Sequence, residues 1–157
     1  MLLMPTAAQA PSTSTARATP LDGRRVEDRQ FLAMQRAFAQ TGGLANGDEV
    51  AQLMRRHSAQ PLSTLARWIV DRRVVSYFWR GQTWLPLFQF ALPGMQLRAE
   101  ARTIVAELVD LCDDWELALW FVQPNEWLDD ATPLERFDAD PSGVLQAARI
   151  DRFIALG

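Results

Sequence analysis

Trp115-Glu-Leu-Ala-Leu-Trp-Phe-Val-Gln-Pro-Asn125, followed after Glu126 by Trp127-Leu-Asp-Asp-Ala-Thr-Pro-Leu-Glu135, is the stretch on which the reading of this chain turns. It joins a short, almost wholly apolar helix, stopped by Pro124, to a Pro-Asn loop and then to a new helix start. Thr132-Pro-Leu-Glu135 has the form of a capping box with proline at the first helical position, where a missing N–H costs nothing. In the preceding helix Trp115, Leu119 and Val122 make one stripe, which Ala118 and Phe121 widen until little is left for water. Trp120 falls off that stripe and Trp127 falls in the loop. A rigid helical platform with apolar and aromatic residues in its loop suits capture by another protein. The competing reading makes the two tryptophans lids over the domain's own core.

Outward from this stretch the pattern stays helical. Ile104, Val105, Leu108, Leu111 and Cys112 form the inner face of a preceding helix, and Asp113 or Asp114 can cap the next one. Asp140-Pro141 opens a last helix. Ala91-Leu-Pro-Gly94 reads as a joint between two halves. In the first half a helix over Val26–Gln40 carries Phe31, Met34 and Phe38 on one stripe and ends at Gly42-Gly43. Asn46-Gly47-Asp48 starts a second helix with Val50, Leu53 and Met54 on one face, and a tight turn at Ala59-Gln60 comes after it. Pro61 starts a third helix with Leu62, Leu65, Ala66 and Ile69 inward. Val74–Trp79 and Thr83–Leu85, separated by Arg80-Gly81-Gln82, read as a hairpin. The expected fold is mainly α. A flexible tail (1–23) precedes a helix-turn-helix-like half with a small β-hairpin wing (24–93), and a C-terminal helical domain (94–157) closes the chain.

The Trp-Phe pair ending a helix, then Pro-Asn, Leu, Thr-Pro-Leu and an Asp-Pro before the last helix, resembles the toxin-binding domain of the Xre/MbcA/ParS antitoxin family. The likeness covers Gln96 to the C-terminus, and the Phe88-Gln-Phe90 exit from the hairpin is similar to the join in some members. Family members often carry a glycine shortly before the Thr-Pro, where this chain has Asp129-Asp130; aspartate tolerates left-handed backbone better than most residues. The resemblance implies a partner, a RES-domain toxin that destroys cellular NAD. It also implies that Trp120, Pro124, Asn125, Leu128, Thr132, Pro133 and Leu134 shape the signature helix and loop. Trp127 joins them as a loop aromatic. Arg149, Arg152 and the tail Phe153-Ile-Ala-Leu156-Gly157 are implied to lie near the toxin, with the tail as the inhibitory element. Family members commonly form dimers or larger complexes, so a homo-oligomer is open, although no heptad pattern points to one.

Charge divides the halves. The net charge of −3 sums +5 over residues 1–90 and −8 over residues 91–157. A basic half can approach phosphate and an acidic half is repelled by it; the alternative is that both are merely solvated. On the third helix Ser63, Thr64 and Arg67 face outward with Arg67 as the candidate base reader, and Arg55, Arg56, Arg72, Arg73 and Arg80 are candidate phosphate contacts on operator DNA. Asp71, Trp79 and Trp84 weaken that case. No run approaches the ~18 apolar residues that a membrane helix needs. Met1-Leu-Leu-Met lacks a basic start and is broken by Pro5, so no signal peptide is expected, and one cysteine allows no internal disulfide. A cytoplasmic protein is expected.

Chemistry finds little material. His57 is the only histidine, Cys112 lies on an apolar stripe, and the pairs Asp113/Asp114 and Asp129/Asp130 stand where caps and turns want carboxylates. Gly42, Gly43 and Gly47 miss the phosphate-loop and dinucleotide spacings. The expectation is no enzyme, no cofactor and no metal. The competing functions are an orphan DNA-binding regulator and a protein-interaction adaptor.

Overall fold

A computed structural model describes the backbone of residues 20–157 and the side chains from Asp28 onward. Most of the expected tail therefore lies outside the described residues. Helix α1 spans Pro20–Phe38, so it starts before the expected Val26, with proline in its opening turn. A 3-10 turn over Ala39–Thr41 leads to Gly42 and Gly43, both at positive φ (100° and 79°), a backbone region open to glycine. The next three residues, Leu44–Asn46, form a strand, β1, that the sequence pattern does not suggest. Asn46 then caps α2 (Gly47–Met54). Its side chain accepts from the Glu49 N–H at 2.9 Å, and the Glu49 carboxylate accepts from the Asn46 N–H at 3.1 Å.

Two inner faces differ from expectation. In α2 the buried residues are Val50, Ala51 and Met54, and Leu53 is exposed. Helix α3 (Pro61–Val70) buries Leu65 and half-buries Trp68 and Ile69, whereas Leu62 and Ala66 face water. The cause is Trp68, left out of the expected stripe: its large ring packs on Phe90 with centroids 6.2 Å apart, and burying it turns Leu62 outward.

Strands β2 (Tyr77–Trp79) and β3 (Gln82–Pro86) pair antiparallel around Arg80-Gly81, and β1 pairs with the other edge of β3, giving the order β1-β3-β2. Arg80 and Gly81 both have positive φ, as a two-residue hairpin loop matching strand twist requires. Strand β2 is shorter than the apolar run because Val75 finds other partners. The Gln89 carboxamide accepts from its N–H and donates to its C=O, both at 2.8 Å, and donates to the Pro86 C=O at 2.9 Å. Gln89 is fully buried and acts as a one-residue strand. After a 3-10 turn at Leu87–Gln89, the expected joint is a small hairpin, β4 (Phe90–Ala91) with β5 (Gln96–Leu97).

The remaining helices are α4 (Ala99–Leu108), α5 (Asp114–Val122), α6 (Pro133–Arg136) and α7 (Pro141–Leu156). The fold is thus mainly helical with a small antiparallel sheet. One core joins Val50, Met54, Leu65, Leu85, Phe90 and Met95. The larger core takes Phe31, Met34 and Phe38 of α1 together with the inner faces of α4, α5 and α7, centred on Phe88, which meets Phe38, Phe121 and Phe137. Arg72, at positive φ just beyond α3, ties the two regions. Its guanidinium donates to the C=O groups of Val109 and Cys112 at 2.7 Å and pairs with Asp114 at 3.0 Å. Among the described residues no helix is long and apolar enough to cross a membrane.

Replacing Gln89 by leucine keeps the volume but strands the N–H and C=O of Val75 and the C=O of Pro86. The expected cost is roughly 2–4 kcal/mol of stability. Urea unfolding of Gln89→Leu beside the wild type measures it.

Candidate partner-binding surface

Helix α5 begins at Asp113, whose carboxylate accepts from the Glu116 N–H at 2.8 Å, and ends before Pro124. Its buried centre is Leu117, Ala118 and Phe121, whereas Trp115, Leu119 and Val122 are half-buried. The expected stripe is therefore misdirected. A helix apolar on nearly every side gives periodicity no direction to report, and packing decides instead. Trp115 meets Tyr77 edge-on at 4.9 Å, on the flank of the helix.

The loop after α5 is built around Asn125. Its side-chain oxygen accepts from the Trp127 N–H at 2.9 Å, its backbone N–H donates to the Ala131 C=O at 3.0 Å, and its C=O accepts from Leu128 and Asp130. Asp129 and Asp130 take the left-handed backbone, with φ 54° and 63°, a region that favours glycine but that aspartate tolerates. Thr132 and Glu135 make both bonds of the capping box at 3.0 Å, and Asp140 caps α7 through the Gly143 N–H at 3.0 Å. Leu128, Pro133 and Leu134 are buried. These three hold the loop from inside and are withdrawn from its surface.

Half-buried Trp120, buried Asn125 and exposed Trp127 converge on a residue that the sequence reading missed. Asp151 accepts three N–H groups: Trp120 Nε1 at 2.8 Å and Asn125 Nδ2 at 3.2 Å on Oδ2, and Trp127 Nε1 at 2.9 Å on Oδ1. One carboxylate on α7 thereby fixes the tryptophan near the end of α5, the loop tryptophan and the Asn125 side chain. The available signal was that Asp151 is the only acidic residue from Pro141 to Gly157, set in an apolar and basic helix. Beside it Arg149 pairs with Glu107 at 3.1 Å, and Arg152 donates to the Glu107 C=O at 2.9 Å and approaches Asp110 at 3.7 Å. Both arginines seat α7 on α4. Beyond them Phe153, Ile154 and Leu156 are 78%, 57% and 65% exposed on the last turn of a continuous helix. Trp127, 42% exposed, and the exposed Pro124 lie on the same loop surface.

The second candidate surface is less coherent. Ser63 and Arg67 are exposed on α3 and Thr64 is half-buried, but Leu62 and Val70 are exposed on the same helix. Arg72 is turned toward α4 and α5, Arg73 lies 3.9 Å from Asp71, and Arg80 pairs with Asp28 at 2.6 Å with its guanidinium over the Trp79 ring. The structure brings Ser63 and Arg67 together and draws Arg72 and Arg80 into internal contacts.

Burial pushes the Cys112 thiol up from its ordinary range, and Glu116 adds to this while Arg72 opposes it. Burial likewise pushes the Tyr77 phenol up. Among the described residues no three His, Cys, Asp or Glu side chains stand close enough to hold a metal ion. No family model, curated protein or solved structure matches this chain.

Asp151→Ala removes three hydrogen bonds from one point. The expected results are a red shift of tryptophan emission, as Trp120 and Trp127 loosen into water, and a stability loss of about 1–3 kcal/mol. Unchanged emission would show that the loop holds its tryptophans without the carboxylate.

Proposed function

We propose that this protein is an antitoxin of the Xre/MbcA/ParS type, which binds a RES-domain, NAD-degrading toxin through its C-terminal end and blocks it sterically. The observation that carries the reading is the last turn of α7. Three large apolar side chains stand in water on a helix whose preceding turn is fastened by Asp151, Arg149 and Arg152. Exposing such side chains on a rigid element disfavours the free chain, and a partner that buries them offsets that. The sequence resemblance supplies the partner's class, and the left-handed Asp129-Asp130 pair is compatible with it. In this reading the chain contributes shape and contact and performs no chemistry. Phe153, Ile154 and Leu156 form the inhibitory element, and Trp120, Pro124 and Trp127 extend the contact.

Operator binding by the first half is a second reading, favoured by one observation. The order α1-β1-α2-α3-β2-β3 with sheet order β1-β3-β2 is the order a winged helix-turn-helix would have, with α3 in the reading position. Ser63 and Arg67 are then the base readers. With Arg72 and Arg80 already paired and Arg73 beside Asp71, phosphate contact falls chiefly to Arg55 and Arg56.

Co-expression with the neighbouring gene tests the first reading. The neighbour alone is expected to deplete cellular NAD, the pair to restore it, and the two proteins to purify together. A chain lacking residues 153–157 is expected to lose protection while remaining folded, because those side chains pack little on their own domain. Full protection by the shortened chain would remove the tail from the inhibitory role. Absence of any complex, with salt-sensitive DNA binding lost in Arg67→Ala, would favour an orphan regulator.

A further inference from the structure

We infer that the cleft between Trp120 and Trp127 receives an arginine side chain from the partner protein. The inference rests on reading this end of the chain as protein-binding and names what the partner brings to it. The cleft measures about 340 Å³, with the two indoles and Asp151 in its lining and Glu126 and Asp130 on the exposed loop beside them. Its chemistry is selective. Asp151 is held by three neutral N–H donors, and among the described residues no arginine forms an ion pair with it. Its negative charge is oriented but not neutralised.

An ionised carboxylate has roughly four acceptor positions, so three bonds leave one unused. Trp127, nearly half exposed, provides an aromatic surface beside it, and cations are drawn to the face of an indole. A guanidinium suits this combination better than an ammonium. It is planar, stacks on aromatic rings, carries several donors at once and gives up its water more readily. The acidic surroundings attract it at longer range, since residues 91–157 carry a net −8. The exposed Ile154 lies three residues after Asp151 on α7, on the same side of the helix, so an arginine set in an apolar surface can use both features.

The test uses the ¹⁵N-labelled full chain alone and three small probes: N-acetyl-arginine amide, its lysine counterpart and its neutral citrulline counterpart. The indole N–H signals of Trp120 and Trp127 are expected to shift saturably with the arginine probe, less with the lysine probe and not with citrulline. Glu126→Gln combined with Asp130→Asn should weaken the response about threefold or more, since each change removes one nearby negative charge. Asparagine tolerates the left-handed backbone at position 130, so this variant keeps the loop. No saturable shift, or an equal shift with citrulline, would overturn the inference, and an equal response to lysine would overturn the guanidinium assignment. No toxin enters the experiment. A positive titration with failed co-purification would therefore remove the antitoxin reading and leave the cleft standing.

Discussion

The carboxylate of Asp151 accepts from the indole of Trp120, the indole of Trp127 and the carboxamide of Asn125, and the C-terminal surface depends on it. These donors lie on the end of α5 and the loop beyond it, whereas Asp151 lies near the end of α7. A single side chain thus converts a loop and a helix end into one surface. Two neighbouring arginines seat the same stretch of α7 on α4, and the fastening stops at Arg152. Residues 153–156 continue the helix and are exposed. For the partner proposed above, such an arrangement lowers the ordering entropy of contact, because the backbone that carries the apolar side chains of the last turn is already helical.

A similar economy joins the rest of the chain. Gln89 supplies Val75 with the two bonds that a neighbouring strand would have given, which lets the chain leave the sheet without stranding buried backbone groups. Arg72 meets carbonyls at the end of α4 and in the turn before α5, and so links the end of α3 to the start of the platform. Helix α1 contributes its apolar stripe to the core of the later helices, so the platform rests on residues from both ends of the described chain. Arginines of the basic half that looked free in sequence are partly committed to these internal links.

Local signals were legible because local chemistry sets them. The caps at Asn46, Asp113, Thr132 and Asp140 and the turn at Arg80-Gly81 arise from the bonding needs of helix ends and hairpins. The first stripe of α1 was readable because Phe31, Met34 and Phe38 recur at helical spacing, with only Leu32 as a large apolar residue off the stripe between them. Helix α5 was not, since a surface apolar on nearly every side carries little phase, and α3 misled because Trp68 outweighed the smaller residues of the expected stripe. Gln89 and Asp151 could not be found by periodicity at all. Each is a polar residue whose partners lie elsewhere in the chain, 14 positions away for Gln89 and Val75 and 24 to 31 for Asp151.

Hydrogen–deuterium exchange on the chain alone and with the product of its neighbouring gene tests the central claim most directly. The account predicts new protection over residues 120–130 and 149–157, with α2 and α3 unchanged. Protection confined to α2 and α3, or none anywhere in a complex that does form, would contradict it.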